Sequence, residues 1–162
     1  MIEVKTLTED RWQDYRAFRL ESLKKAPLAF GSSWEEEINL PEEAWKRHIK
    51  NTYFALDGNK IVGTLVWVRD TMVKTKHITN IYGVYVAEEY RGRGVGKKLM
   101  DTALARTQES DGIIKVKLAV NPVQKAALKL YKSYGFKIAG KAKKELHIDG
   151  RFYDELIMEK IL

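Results

Sequence analysis

The spacing of apolar and polar residues in the first third of the chain predicts one strand followed by helices. Residues 2–7 alternate between apolar and polar, which is typical of an edge strand. Thr8 is a suitable N-cap, and the apolar residues after it recur at helical spacing as far as residue 23. Residues 34–38 predict a short helix. Residues 41–50 predict another, because proline and two acidic residues stand at its start.

The middle of the chain alternates strand patterns with turns. Residues 53–56 and 61–67 flank Asp57-Gly58-Asn59-Lys60, a composition typical of a tight hairpin turn. Residues 77–86 predict the next strand. Residues 95–108 predict a helix that opens directly from a glycine-rich turn.

A strand and a helix are predicted next. Apolar residues alternate with lysine and alanine from Ile114 to Val120, which predicts a strand with one solvated face. Asn121-Pro122 has the composition of an N-cap followed by proline at the first helical position. We expect the helix that starts there to end at Gly135, a residue suited to the left-handed conformation.

The chain ends in a second predicted hairpin, with residues 136–147 and 152–161 flanking Asp149-Gly150. No internal repeat, low-complexity tract or linker interrupts the order of elements. The sequence therefore predicts a single domain over residues 1–162, of the α/β (α+β) class with a mixed sheet.

The turn between the predicted strand 77–86 and its helix has the chemistry of a phosphate site. Successive backbone N–H groups and a helix N-terminus attract anions, and glycines allow close approach of the main chain. The spacing of the glycines fits neither the dinucleotide fingerprint nor the P-loop. The turn carries the glycines Gly92, Gly94 and Gly96 and the cations Arg91, Arg93 and Lys97.

Arg91-x-x-Gly94-x-Gly96, following a strand that ends at Val86, resembles the signature of the GNAT superfamily of N-acetyltransferases. The segment from Ala126 to Phe136, with Leu130-Tyr131 and Gly135-Phe136, is similar to a later helix of the same family. Residues 29–37 and 149–155 resemble segments of one large bacterial subgroup, so the resemblance covers nearly the whole chain.

The resemblance implies a mostly antiparallel, twisted sheet flanked by helices, with central strands that splay to admit acetyl-CoA. The pantetheine arm would pair with backbone groups of the motif strand like an added strand, and the pyrophosphate would lie on the glycine-rich turn. By this resemblance, the cofactor-binding residues are Val84, Tyr85, Val86, Arg91, Gly92, Arg93, Gly94, Val95, Gly96, Lys97, Asn121, Gln124, Ala127 and Tyr131. Gln124 stands where many relatives have asparagine, and Asn121 is equally suited to being only a helix cap.

The resemblance also implies that the Tyr131 hydroxyl protonates the departing thiolate, a role that a phenol with a pKa of about 10 can fill. Some relatives carry a glutamate base on the motif strand, but the corresponding residue here is Tyr82, and residues 78–86 contain no acid. A water held by the strand backbone, Asn80 or Tyr82 is one candidate base. Glu155 or Asp154 on the last hairpin is the other.

In relatives the acceptor cleft is lined by the first helices and the final hairpin. The candidates here are Phe30, Ser32, Trp34, Trp67, Tyr153 and Glu155. Residues 35–37 are three consecutive glutamates, which suit either attraction of a cationic amine or a solvated acidic helix start.

Composition bears on disulfides, metal sites and membrane segments. The chain has no cysteine, which excludes disulfides and thiolate ligands, and its three histidines are isolated from one another, so we expect no metal. No apolar run is long enough to span a bilayer and the first residues do not resemble a signal peptide, so we expect a cytoplasmic protein without a membrane partner.

The formal net charge of +7 suits an anionic cofactor and a solvated surface. Its lysines are scattered with few interleaved aromatics, so no nucleic-acid partner is expected. The leading hypothesis is transfer of an acetyl group from acetyl-CoA to a primary amine of a small molecule or peptide. The alternatives are a CoA-binding regulatory module without turnover and a basic nucleic-acid-binding domain. A homodimer is left open.

Overall fold

The structure, a computed structural model, describes all 162 residues. Its seven strands form one mixed sheet in the order β1-β2-β3-β4-β5-β7-β6. The strands are β1 (Ile2–Lys5), β2 (Thr52–Asp57), β3 (Lys60–Arg69), β4 (Ile78–Val86), β5 (Lys115–Val120), β6 (Lys137–Ile148) and β7 (Arg151–Ile161). The α-helices are α1 (Trp12–Lys25), α2 (Trp34–Glu37), α3 (Glu42–Ile49), α4 (Val95–Glu109) and α5 (Lys125–Ser133).

Strand pairing is antiparallel for β1–β2, β2–β3, β5–β7 and β6–β7, and parallel for β4–β5. Both predicted hairpins are confirmed. The first turns at Gly58, with φ of 59°, and the second at Asp149 and Gly150, with φ of 49° and 75°. These left-handed angles explain why glycine and aspartate occupy the turns.

The predicted start of the first helix is wrong by one turn. Thr8 precedes a 3₁₀ turn over Glu9–Arg11 and its side chain makes no capping bond, so α1 begins at Trp12. The short helix α2 begins as predicted, because the Ser33 hydroxyl accepts from the Glu36 N–H while the Glu36 carboxylate accepts from the Ser33 N–H.

The predicted start of the later helix is also wrong, since α5 begins at Lys125 rather than after Asn121. The Asn121 side-chain oxygen accepts from the Val123 N–H at 3.0 Å, so the asparagine closes an Asx turn before the helix. The prediction that Ile114 belongs to the buried face of the next strand is wrong. Ile114 precedes β5 and is 55% exposed, whereas Val116, Leu118 and Val120 are buried.

The chain divides into two compact units, residues 1–67 with 83–106 and residues 68–82 with 107–162, and each is described by itself. The core of the first unit contains Tyr15, Leu23, Trp45, Ile49, Phe54 and Leu56. Tyr15 packs edge-on against both Trp45 and Phe54, with ring centroids 5.6 and 5.3 Å apart. The second unit buries Val116, Tyr131, Phe136 and Met158. No helix is long and apolar enough to cross a membrane.

Candidate functional site

The glycine-rich turn before α4 has the backbone that its sequence predicts. Gly92 and Gly94 have φ of 74° and 78°, left-handed values at which a side chain would be strained. A Cβ at either glycine would meet no protein atom within 4 Å, so the space beside the turn is open. The backbone N–H groups of Gly92, Arg93 and Gly94 have no acceptor within the protein. The turn therefore presents unused donors at the start of a helix.

The cations of this turn are solvent-exposed. Arg91 donates from Nε to the Val86 carbonyl at 3.0 Å, and its guanidinium lies 5.7 Å from the centroid of the Tyr85 ring. Arg93 lies 5.2 Å from the Tyr90 ring. Lys97 in the first turn of α4 is also exposed. Exposed cations beside open backbone donors at a helix N-terminus fit a pyrophosphate.

Strand β4 contains a left-handed residue, Gly83, with φ of 53°. A left-handed glycine inside a strand is typical of a bulge, which re-aims the residues that follow. The parallel register with β5 covers only Ile78–Asn80, the first three residues of the strand. In the neighbouring strand β3, a Cβ at Gly63 would lie 3.1 Å from the Tyr85 carbonyl oxygen, tighter than most Cβ contacts, so glycine favours the close approach of the two strands.

One predicted acceptor residue and one predicted cofactor residue, Phe30 and Tyr85, belong to one cluster of the first unit. Phe30 is buried and its ring centroid lies 5.9 Å from that of Tyr85, a predicted cofactor residue, which Phe18 contacts at 5.7 Å. The Arg19 guanidinium lies 4.4 Å from the Phe30 centroid. Sequence reasoning missed Arg19 because its helical spacing alone carries no chemical signal.

The other predicted acceptor residues of this unit differ in their surroundings, and Trp34 packs against the hydrophobic cluster that contains Phe30 and Tyr85. Trp34 is half-buried, with the Lys24 ammonium 4.2 Å from its ring centroid, and Trp67 is half-buried, with Arg106 at 5.5 Å. Ser32 is exposed in the loop before α2. Their roles in acceptor binding stay predictions.

The three glutamates of α2 differ from one another, and neither sequence interpretation fits all of them. Glu35 is exposed, and hydrogen bonds from the Ser33 backbone and hydroxyl hold the pKa of Glu36 below its usual value. Glu37 is buried and bonds Arg19 through both oxygens, at 2.8 and 3.0 Å. The expectation of a solvated acidic face is thus wrong for Glu37, because the packing of α1 and α2 turns it inward.

In the second unit, Tyr131 on α5 is 5% exposed and packs edge-on against Phe136, with centroids 6.2 Å apart. Burial raises the pKa of its phenol well above the ordinary value. The hydroxyl makes no hydrogen bond within the protein. These properties keep Tyr131 protonated at neutral pH with an unused donor, which suits a proton donor.

The remaining predicted cofactor residues of this unit surround the start of α5. Asn121 is 2% exposed, and its amide nitrogen is buried without a partner. Gln124 is the N-cap position of α5, with no capping bond from its side chain, and Ala127 is half-buried one turn later. The structure thus accounts for Asn121 as a turn residue.

The candidate bases have distinct surroundings. Tyr82 is 55% exposed, and partial burial together with the Asp70 charge raises its pKa. Asn80 donates to Asp70 at 2.6 Å. Burial, with a contribution from Glu145, raises the pKa of Glu155 toward the range of a useful base.

The neighbours of Glu155 on β7 have other surroundings. Asp154 accepts from the backbone N–H of Lys144 at 2.8 Å, which lowers its pKa and occupies it in the hairpin. Tyr153 is half-buried opposite Leu146. The structure contains no group of three or more side chains that could hold a metal ion.

Comparison with known proteins places this chain among acetyltransferases. The chain is 27% identical over 128 residues to the L-amino acid N-acetyltransferase AaaT of Escherichia coli (strain K12), an alignment that covers 79% of this chain and 75% of that protein. An acetyltransferase of the GNAT family from Streptococcus pneumoniae has the same fold, with a TM-score of 0.87 at 23% identity and 100% of both chains covered.

The yncA protein of Salmonella typhimurium, solved with its cofactor acetyl-CoA, also shares the fold, with a TM-score of 0.82 at 13% identity, covering 100% of this chain and 94% of that one. The predicted fold class is confirmed by these likenesses. The acetyltransferase (GNAT) family profile matches residues 5–136, which include both the glycine-rich turn and Tyr131. The protein therefore belongs to the GNAT family of acetyl-CoA-dependent acetyltransferases, as its motifs predicted.

Proposed function

We propose that this protein transfers the acetyl group of acetyl-CoA to the primary amine of a small molecule or peptide, by direct attack in a ternary complex. The observation that carries the proposal is the turn before α4, where Gly92 and Gly94 are left-handed and three successive backbone donors have no acceptor. A helix N-terminus with unused donors and exposed cations is suited to a pyrophosphate.

Residues Arg91–Lys97 would bind the pyrophosphate, and the backbone of Val84, Tyr85 and Val86 would pair with the pantetheine arm. Gly83 supports this role, because its left-handed φ of 53° interrupts the regular strand conformation immediately before those three residues. When bound, acetyl-CoA supplies an acetyl thioester. A backbone N–H near Tyr85 or Val86 would polarise the carbonyl and stabilise negative charge developing on its oxygen.

In the transfer, a bond forms between the amine nitrogen and the acetyl carbon, and the carbon–sulfur bond breaks. The Tyr131 hydroxyl would donate a proton to the departing sulfur and regain one from solvent. Its burial and unpaired hydroxyl support the role. A base removes one proton from the amine, so charge balances without a covalent enzyme intermediate.

Glu155, or a water held near Tyr82 and Asn80, would be the base. Glu155 is supported by the raised pKa of its half-buried carboxyl. The absence of an acid from residues 78–86 favours a second candidate function, a CoA-binding regulator without turnover. That alternative has no use for the unpaired hydroxyl of Tyr131.

A thermal-shift titration with acetyl-CoA, with free CoA, NAD and ATP as controls, tests the cofactor site. A ligand at 100 times its Kd stabilises by about 2.7 kcal/mol, so a shift with both CoA forms alone is the expected result. Thiol release is then measured with a panel of primary amines. Binding without acetylation of any amine would favour the regulator, and no shift with either CoA form would contradict the cofactor site.

A further inference from the structure

Arg19 of α1 is held rigidly in a partly buried position. Its Nε and Nη2 donate to the two carboxylate oxygens of Glu37 at 3.0 and 2.8 Å, and its guanidinium stacks on Phe30 at 4.4 Å. The two charged side chains are only 14% and 7% exposed. A guanidinium that is hydrogen-bonded through two of its nitrogens and stacked on an aromatic ring has little rotational freedom. The direction of its third nitrogen, Nη1, is therefore fixed.

That remaining edge is an unused donor. Arg19 Nη1 has no hydrogen-bond partner within the protein, although it is not sealed from solvent like the three buried and unpartnered atoms of the molecule. Both oxygens of Glu37 are already bonded to Arg19. The unmet hydrogen-bonding capacity of the pair is therefore that of a donor, and a group with acceptor oxygens would satisfy it. On a guanidinium, a carboxylate makes the strongest bond of this kind.

Arg19 Nη1 lies beside β4, the strand at which we propose that acetyl transfer takes place. A Cβ at Gly83 would be 3.0 Å from Arg19 Nη1 and 3.5 Å from the Phe30 ring. Gly83 is the left-handed residue of β4 that directly precedes Val84 and Tyr85, and Tyr85 packs against Phe30. Arg19 Nη1 therefore lies beside the backbone that we assign to the pantetheine arm.

We propose that Arg19 binds the carboxylate of the acceptor, with Glu37 as its positioning residue, so that the acceptor is an α-amino acid. The inference rests on the proposed acetyl transfer. A single carbon joins the amine to the carboxylate in an α-amino acid, so a carboxylate on Nη1 holds the amine beside β4. The amine gains the acetyl group and loses one proton, while the carboxylate stays unchanged on Arg19.

The test compares acceptors that differ only at the carboxylate. Thiol release from saturating acetyl-CoA is measured with the twenty L-amino acids. The best acceptor is then compared with its carboxamide and its decarboxylated amine. The α-amine of a carboxamide titrates near 7.7–8.0, so a larger share of it is neutral at pH 7 than of the amino acid, and basicity alone would favour the carboxamide. We expect kcat/KM to be about ten- to a hundredfold higher for the amino acid, as for a charge-assisted hydrogen bond.

The variants are chosen to remove the Nη1 donor of Arg19 without leaving a buried charge unpaired. Arg19→Gln alone would leave Glu37 buried and unpaired, which destabilises proteins. The double variant Arg19→Gln/Glu37→Gln avoids this, and Arg19→Lys keeps the charge but loses the fork. The matched control is Arg11→Gln/Asp14→Asn, because Arg11 and Asp14 form an exposed pair at 2.8 Å near the start of the same helix.

In the Arg19/Glu37 double variant, the preference for the amino acid over its carboxamide should fall to about threefold or less, mainly through KM. The thermal shift with acetyl-CoA should stay unchanged, and the control pair should keep the full preference. An undiminished preference in the double variant, or equal use of amino acid and carboxamide by the unmodified protein, would overturn the inference while leaving acetyl transfer intact. Failure to acetylate any amine would overturn the proposed function and this inference with it.

Discussion

Two segments of this protein run from a strand through a turn into a helix, and their turns use the backbone in opposite ways. Between β4 and α4, the N–H groups of Gly92, Arg93 and Gly94 have no acceptor in the protein. Between β5 and α5, the side chain of Asn121 accepts from Val123, and the Asn121 carbonyl accepts from Gln124.

The difference lies in the side chains of the turns. Left-handed glycines at 92 and 94 bring no acceptor of their own, so the donors of the first turn are left for a ligand. In the second turn, the buried side chain of Asn121 accepts a hydrogen bond from the backbone N–H of Val123, so that donor is already used within the protein. The same order of elements thus yields one turn with unused backbone donors, which we propose as the pyrophosphate site, and one segment that offers only side chains, among them Tyr131.

The largest effect is expected where the open turn is filled. Gly94→Glu introduces a side chain at a φ of 78° and adds negative charge beside the proposed pyrophosphate site, so binding of acetyl-CoA should be abolished. Isothermal titration calorimetry measures this directly. Gly58→Glu is the matched control, because Gly58 is also left-handed, at 59°, with no atom within 4 Å of an added Cβ. Comparable losses of affinity in the two variants would contradict the assignment of the first turn.

A smaller effect, on turnover alone, is expected from the side chain of the second segment. Tyr131→Phe keeps the ring against Phe136 but removes the unpaired hydroxyl, so kcat should fall about a hundredfold with little change in acetyl-CoA affinity. Thiol release and calorimetry on the same preparation separate the two quantities.

The pH dependence sharpens the test of Tyr131. Burial raises the pKa of this phenol above its usual value, so the hydroxyl should stay protonated throughout the range in which α-amines titrate. The ratio of the rate of the unmodified protein to that of Tyr131→Phe should therefore be constant from about pH 6 to about pH 9. A ratio that falls with rising pH in this range would contradict the raised pKa of Tyr131, and a ratio near one throughout would rule out its role as a proton donor.

The smallest effect on acetyl-CoA binding is expected at Asn121, whose side chain already accepts a hydrogen bond within its own turn. Asn121→Ala leaves the Val123 N–H without its acceptor, which should lower the free energy of unfolding by about 1 kcal/mol. Acetyl-CoA affinity should change by less than about twofold, because we expect the buried Asn121 amide to have only a structural role. Urea denaturation and calorimetry measure the two effects. A tenfold loss of affinity would instead make Asn121 a cofactor ligand, the other role that the sequence leaves open for it.

The sequence was sufficient wherever a local rule fixes the backbone. Gly58, Asp149-Gly150 and the Gly92–Gly94 turn all have the left-handed angles that their residue types indicate. Ser33 and Glu36 form the capping box that opens α2. These features depend on residues within a few positions of one another, so a single sequence contains the whole cause.

The sequence was misleading where a local rule permits two outcomes. Thr8 and Asn121-Pro122 have the composition of helix N-caps, yet α1 and α5 begin several residues later. Both segments satisfy their backbone with a turn first. An asparagine oxygen bonds an N–H two residues on as readily in an Asx turn as at a cap, and packing selects between them.

The sequence by itself determined the family, the order of the elements and the left-handed backbone of the glycine-rich turn, because each depends on residues that lie close together along the chain. Only the tertiary structure decided that Glu37 is buried against Arg19, eighteen positions earlier, and that Arg19 Nη1 lies beside Gly83. Three glutamates in a row look alike as sequence. Which of them turns inward depends on how α1 and α2 pack, and that packing places the unpaired Nη1 of Arg19 beside β4.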